Sequence, residues 1–158
     1  MGIEVRAARL NDYPAISRLL LQIAQLHHEW RPDVFRPASQ KYNSKQYKTM
    51  LKDKDAPILV AENAQGQVLG YAMCKIFSTQ NPVMVERGYL YLDDLCVDEK
   101  ARGQGVGELL MQAVTALAKE RGLDKIELNA WECNEGARKF YEKLGYVTQK
   151  RGLEIWVK

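Results

Sequence analysis

Apolar side chains recur along this chain with two different periods, and each switch of period marks a new element. Ile3-Glu4-Val5-Arg6-Ala7 alternates like a short strand, and Asn11 or Asp12 can then cap a helix carrying Ile16, Leu19, Leu20, Ile23 and Leu26 at helical spacing. His27 to Pro37 mixes aromatics, charges and two prolines, which suits an irregular exposed segment, and a second helix fits Gln46 to Lys52. Ile58 to Glu62 and Val68 to Ile76 read as a hairpin around Ala64-Gln65-Gly66-Gln67, followed by a strand from Tyr89 to Val97. A helix after the glycine-rich run at 103–107 has Val106, Leu109, Leu110, Ala113, Val114, Leu117 and Ala118 on one broad face and stops at Gly122. Lys125 to Trp131 is another strand. Asn134 then opens a helix with Ala137, Phe140, Tyr141 and Leu144 in register, closed by Gly145. Tyr146-Val147 and Leu153-Glu154-Ile155-Trp156-Val157 complete the expected sheet. The order β-α-α-β-β-β-α-β-α-β-β predicts an α/β chain, a mixed sheet covered by helices on both faces.

At 158 residues and 46% hydrophobic content, the chain is expected to form one domain over residues 1–158. Its formal charge of +3, from 23 basic and 20 acidic residues, is mild and scattered, which argues against nucleic acid as the main partner. No apolar run approaches the roughly 20 residues that span a bilayer, and Met1-Gly2-Ile3-Glu4-Val5-Arg6 lacks a signal peptide's apolar core, so no membrane partner and a cytoplasmic location are expected. Cys74, Cys96 and Cys133 are odd in number and widely spaced, which reads as reduced thiols rather than disulfides or a zinc site.

The candidate chemistry begins at Arg102-Gly103-Gln104-Gly105-Val106-Gly107. Alternating glycines let successive N–H groups turn toward an anion at the positive end of the following helix, and such a cradle suits a pyrophosphate. Glu108 and Leu109 follow Gly107, where a P-loop requires Lys and Ser or Thr. Counted from Gly103, a dinucleotide loop's last glycine falls on Glu108.

Arg102-x-x-Gly105-x-Gly107, together with Asn134 and Phe140-Tyr141-x-x-Leu144-Gly145-Tyr146 downstream, resembles the two signatures of the Gcn5-related N-acetyltransferase (GNAT) superfamily, and the likeness covers nearly the whole chain. The resemblance implies a mostly antiparallel central sheet whose central strands splay. It also implies acetyl-CoA as co-substrate, no metal, and direct transfer of an acetyl group to a primary amine. Residues 102–108, namely Arg102, Gly103, Gln104, Gly105, Val106, Gly107 and Glu108, would hold the pyrophosphate, with Asn134 in the second signature. The backbone of Leu95, Cys96 and Val97 would pair with the pantetheine arm as a missing strand would.

Transfer from a thioester needs a neutral amine and a proton for the departing thiolate. The resemblance points to Tyr141 as the proton donor. Asp93 is the expected base, because strict alternation puts it on one face with Tyr89, Tyr91, Leu95 and Val97 and puts Asp94 on the other. It also matches a carboxylate of the family's polyamine-acetylating branch. His27 and His28 follow the first helix, where the family lines its acceptor pocket, and two histidines are too few for a metal site. Glu29, Asp33 and Trp30 are further cation-binding candidates, and Arg138 and Lys143 further phosphate partners. The expected acceptor is a small cationic amine. A protein α-amino group or lysine is the alternative within the enzyme class, and an acyl-CoA-binding sensor without turnover is the alternative outside it. Relatives of this kind are often homodimers, and the Leu153 to Val157 segment reads either as an interface strand or as a core strand.

Overall fold

The computed structural model describes residues 2–158. Five strands form one sheet in the order β1 (Glu4–Ala7), β2 (Ile58–Glu62), β3 (Val68–Ser78), β4 (Gly88–Val97) and β5 (Lys125–Leu128). The first three pairings are antiparallel and β4–β5 is parallel, so the sheet is mixed and mostly antiparallel. Helices α1 (Tyr13–Trp30) and α2 (Ser44–Leu51) cover one face. There Ile16, Leu19, Leu20 and Tyr47 pack on Val60, Tyr71, Met73 and Cys96. Helix α3 (Val106–Glu120), the crossover between the parallel strands, covers the other face through Leu110, Met111, Val114 and Ala118 packed on Ala72, Cys74, Leu90 and Leu92. Helix α4 (Glu135–Lys143) lies beside α3.

Two helix starts depart from expectation. Asp12 stands at the N-cap of α1, yet its carboxylate accepts from Arg6 and from the Arg9 amide instead of from the helix. In α2 the cap is Asn43, whose side chain accepts from the Gln46 amide while Gln46 returns a bond to the Asn43 amide, so the helix begins two residues earlier than its apolar pattern indicates.

The expected strands at Tyr146-Val147 and Leu153 to Val157 do not form. Residues 147–158 carry no regular secondary structure and lie outside the sheet, with Leu153 94% and Val157 92% exposed. A strand's alternation marks a surface fit for pairing, and it does not supply the partner.

Candidate functional site

Strand β4 is shared unequally by its neighbours. It pairs with β3 from Gly88 to Val97 but with β5 only from Tyr89 to Leu92. Beyond Leu92 the β4 edge that faces β5 has no ladder partner among the described residues, and Leu95, Cys96 and Val97 lie on that stretch. The peptide groups that this stretch turns away from β3 are therefore available to an extended ligand. Their side chains are committed elsewhere. Leu95 and Val97 pack toward α3, and the Cys96 thiol donates to the Leu19 carbonyl at 3.6 Å, with burial pushing it up to about 12.

Past Val97 the chain makes a single turn capped by Asp98, whose carboxylate accepts from the Lys100 amide and also from Arg18 at 2.6 Å and Gln22 at 3.3 Å. This fastens the approach to the glycine loop onto α1. Gly103 and Gly105 then adopt left-handed conformations, φ +80° and +78°, and Gly105 is the N-cap of α3. A Cβ at either would meet nothing within 4 Å, so the ground in front of the loop is open. The two turns and the 15-residue helix start leave amide groups facing that ground, and this donor set suits a pyrophosphate. Gly107 has a different reason to be glycine. A Cβ there would stand 3.1 Å from the Phe140 ring, so it sets the approach of α3 to α4. Val106 is buried and can offer only its amide. Glu108 lies 3.5 Å from Lys143, and Lys139 pairs with Glu135. Arg102 and Gln104 are exposed, and Arg102 has no carboxylate within ion-pair distance among the described residues. The Asn134 side chain caps α4 by accepting from the Ala137 amide at 3.1 Å, and Arg138 reaches back to the Glu132 carbonyl.

The acidic pair divides differently from the alternation argument. Met73 opposes Asp94 while Cys74 opposes Leu92, so Asp93 is an extra residue in β4, a bulge. The side-chain phase slips by one across it. Leu90, Leu92, Leu95 and Val97 all pack toward α3, and Asp94 and Cys96 face α1. The expected grouping of Asp93 with Tyr89, Tyr91, Leu95 and Val97 is thus corrected. Asp93 sits at the bulge, 3.8 Å from Lys75. Asp94 accepts from the Tyr71 hydroxyl at 2.6 Å, and burial lifts its carboxyl above the usual range while Tyr71, Lys41 and His27 oppose the lift and Asp93 adds to it. Tyr141 projects from α4 against the rings of Phe140 and Tyr146. Burial raises its phenol well above the ordinary value, and the charges of Tyr146 and Asp94 add to this, so it stays protonated at neutral pH.

The two histidines also separate. Burial lowers His27, against the pull of Asp94, and its ring lies 4.8 Å from Phe35. His28 Nδ1 is 2.8 Å from the Phe35 carbonyl, which only accepts, so Nδ1 carries the proton and ties down the segment after α1. Phe35 meets Trp131 edge-on at 5.3 Å, and Arg31 lies over the same indole at 5.5 Å. This aromatic closure joins the α1–α2 connection to the chain after β5. Asp33 is spent on Arg31, Glu29 accepts from Gln25, and the Trp30 ring lies 5.8 Å from His27. Cys133 is exposed. Sequence reasoning missed Tyr71, Lys41, Phe35 and Trp131. Only the Asp94–Tyr71 contact left a readable trace, in the slip of apolar phase within β4.

With this geometry established, likeness to known proteins is informative. The profile of the acetyltransferase (GNAT) family matches residues 21–146. An uncharacterized N-acetyltransferase of Bacillus subtilis, YhfO, is 30% identical over 145 residues, spanning 91% of this chain and 89% of that protein. A mycothiol acetyltransferase of Salinispora tropica is 38% identical over 93 residues, which are 58% of this chain and only 29% of that longer protein. The crystal structure of a mutant BH1408 protein from Bacillus halodurans superimposes with a TM-score of 0.93 at 30% identity, covering 98% of this chain and 99% of that one. The splayed mixed sheet, the glycine loop at the head of α3 and a profile match over most of the chain agree: this protein belongs to the GNAT family of acetyl-CoA-dependent N-acetyltransferases.

Proposed function

We propose that the acceptor is a small cationic primary amine whose nitrogen is received at Asp94. Residues 102–108 would hold the pyrophosphate of acetyl-CoA, and the backbone of 95–97 its pantetheine. Bound there, acetyl-CoA supplies an acyl thioester. The observation that carries the reading is the enclosed Asp94 carboxylate, held by Tyr71 at 2.6 Å where β4 parts from β5 and close enough to act on both His27 and Tyr141.

Each group has a part set by its surroundings. A carboxylate raised by burial draws in an ammonium group and is a stronger base than an exposed one, so Asp94 takes over the role that alternation gave to Asp93. Asp93 assists by keeping a second negative charge beside it. As the amine nitrogen bonds to the carbonyl carbon and the carbon–sulfur bond breaks, Tyr141 delivers its proton to the departing sulfur. His27 lines the pocket, and His28 positions Phe35 at its mouth. All three cysteines are free, which supports a cytoplasmic setting.

The test is thiol release from acetyl-CoA against polyamines, amino sugars and peptides with free α-amino or lysine amines, with Tyr141→Phe alongside. Release is expected with small diamines or amino sugars, and a kcat lower by about 10²–10⁴ in the variant. Preference for peptides transfers the assignment to protein acetylation. Tight binding of CoA without release from any amine marks a sensor, and an unchanged rate in Tyr141→Phe removes the proton-donor role.

A further inference from the structure

The sheet face that α1 and α2 cover is left bare toward one end. On β3 their packing stops at Met73. Beyond it the registers set two rows across three strands, Lys75, Tyr91 and Glu127 in one and Phe77, Tyr89 and Lys125 in the next. These positions alternate with Cys74, Leu90, Leu92, Ile126 and Leu128, which pack toward α3, so both rows lie on the α1 side. Phe77 is 43% exposed, and its ring lies 5.6 Å from Tyr89 and 6.5 Å from Tyr91. The three rings floor an open trough of about 280 Å³ whose rim is Lys75, Glu127, Asn129 and Lys150.

The trough begins beside the carboxylates of the acceptor site. Lys75 on its rim is 3.8 Å from Asp93, and Tyr91 on its floor stands three residues before Asp94, at most about 10 Å along the strand. A ligand whose amine reaches Asp94 has this floor beside its body. The volume falls short of the ~300–1,000 Å³ of whole small-molecule pockets, so the trough suits one moiety of a longer ligand.

Charge and shape select that moiety. A second ammonium group would meet Lys75 and Lys150, and the rim carboxylate, Glu127, has both oxygens engaged, by Lys125 at 3.0 Å and Gln149 at 2.9 Å. A ligand carboxylate would lie against the negative faces of the rings. A bare hydrocarbon would leave the rim groups desolvated without partners. A pyranose ring meets both demands, since its C–H face packs on the aromatic floor while its hydroxyls reach outward to the rim. Asn129 donates to the Tyr91 hydroxyl at 3.1 Å, which leaves the Asn129 carbonyl oxygen and the Tyr91 proton for such hydroxyls.

We propose that this trough is a second acceptor subsite that holds a hydroxylated ring. The substrate class is then an amino sugar of at least two rings, one presenting its amine to Asp94 and the next lying on Phe77, Tyr89 and Tyr91. The subsite rests on the assignment of the acceptor amine to Asp94 and narrows it to amino sugars over diamines. Lys75 is the residue that turns a second ammonium group away.

The test compares thiol release, at saturating acetyl-CoA, from glucosamine, from the disaccharide of glucosamine and N-acetylglucosamine with one free amine, and from spermidine. The disaccharide should exceed glucosamine in kcat/KM by about tenfold, the scale of one or two aromatic contacts, and spermidine should fall below both. Phe77→Ala should bring the disaccharide-to-glucosamine ratio close to one through KM, and Lys75→Glu should raise spermidine relative to the disaccharide. A wild-type ratio near one, a wild-type preference for spermidine, or a ratio that survives Phe77→Ala overturns the subsite. So does a Phe77→Ala chain whose mass by light scattering changes while its ratio does not, which marks a contact between copies. The two readings fail separately. Release from no amine removes the acceptor assignment, and diacetylchitobiose, which has no free amine, still tests the trough by ligand-observed magnetic resonance. Its lines should broaden with the wild-type chain and sharpen with Phe77→Ala, and no broadening with the wild-type chain overturns the subsite even if the variants fail to fold.

Discussion

Tyr71→Phe isolates the contact on which the acceptor assignment rests. Tyr71 is fully buried and its hydroxyl donates to Asp94 at 2.6 Å, so the substitution removes one donor and leaves the ring in place. A hydrogen bond to a charged acceptor is worth about 1.5–3 kcal/mol, and at 1.36 kcal/mol per pKa unit its loss moves Asp94 by about 1–2 units. The direction is upward. Burial already lifts Asp94, and the bond from Tyr71 is the first of the groups opposing that lift. If Asp94 must be ionised to receive the amine, the acid limb of the kcat/KM profile should move to higher pH by the same 1–2 units. Stability follows with a definite sign. A raised carboxyl binds more protons folded than unfolded, so the variant's deficit is full above its own Asp94 pKa and vanishes below the wild-type one. At a pH where Asp94 is ionised, that deficit should lower Tm by about 2–4 °C per kcal/mol for a chain of this size. Asp93→Asn is the opposing control, because removing the neighbouring charge should move the limb down. An acid limb that stays at the wild-type position in Tyr71→Phe, measured with saturating acetyl-CoA, refutes Asp94 as the titrating base.

Gly105→Ala forces a side chain into φ +78° at the head of α3, a strain of roughly 1–2 kcal/mol, and should weaken CoA binding measured by calorimetry more than it lowers Tm. Gly107→Ala, with a Cβ 3.1 Å from Phe140, should instead lower Tm while the CoA enthalpy stays near wild type. Arg6 holds Asp12 at 2.8 Å and Glu62 at 3.0 Å, and Arg6→Ala should cost about 2 kcal/mol in a urea titration, between the values for exposed and buried pairs. Burial pushes Asp12 up, but Arg6 and the Arg9 amide more than reverse it, so its stabilisation is present above about pH 4 and is lost as pH falls through the depressed folded value. The acid-unfolding midpoint of Arg6→Ala should therefore rise.

Most of the architecture was legible because each buried face repeats its period long enough to be read. The hairpin needed only two apolar runs around Gly66, and α3 declares itself through its apolar stripe and Gly122. The glycine loop was legible for a related reason, since two residues at φ near +80° before a helix leave glycine in the sequence. Less legible were features fixed by partners far along the chain. Tyr71 and Asp94 are 23 residues apart and meet only once β3 and β4 are in register. Phe35 and Trp131 come together from the two ends of the fold. The C-terminal segment failed for the opposite reason, because a sound strand pattern forms no ladder with the β5 edge that its own chain leaves open. One misreading was avoidable. Apolar residues in β4 fall on even positions at Leu90 and Leu92 and on odd positions at Leu95 and Val97, and that change of phase is the mark of an inserted residue.

The same inserted residue accounts for the split in the sheet. A bulge increases local twist and bends its strand, and pairing of β4 with β5 stops at Leu92, one residue before it. The phase slip also lets the α3 core run unbroken through Leu92 and Leu95 while Asp94 turns to α1. Deleting Asp93 separates these effects. Without it, Leu92, Asp94, Leu95, Cys96 and Val97 alternate continuously and every one keeps its present face, so the apolar packing has no reason to fail. What the deletion removes is the bend. The shortened strand should fold with a Tm close to wild type, extend its pairing with β5 and lose affinity for CoA, whereas Asp93→Asn, which keeps the bulge, should retain that affinity. Undiminished CoA binding by a folded deletion variant would show that the opening between β4 and β5 has another cause.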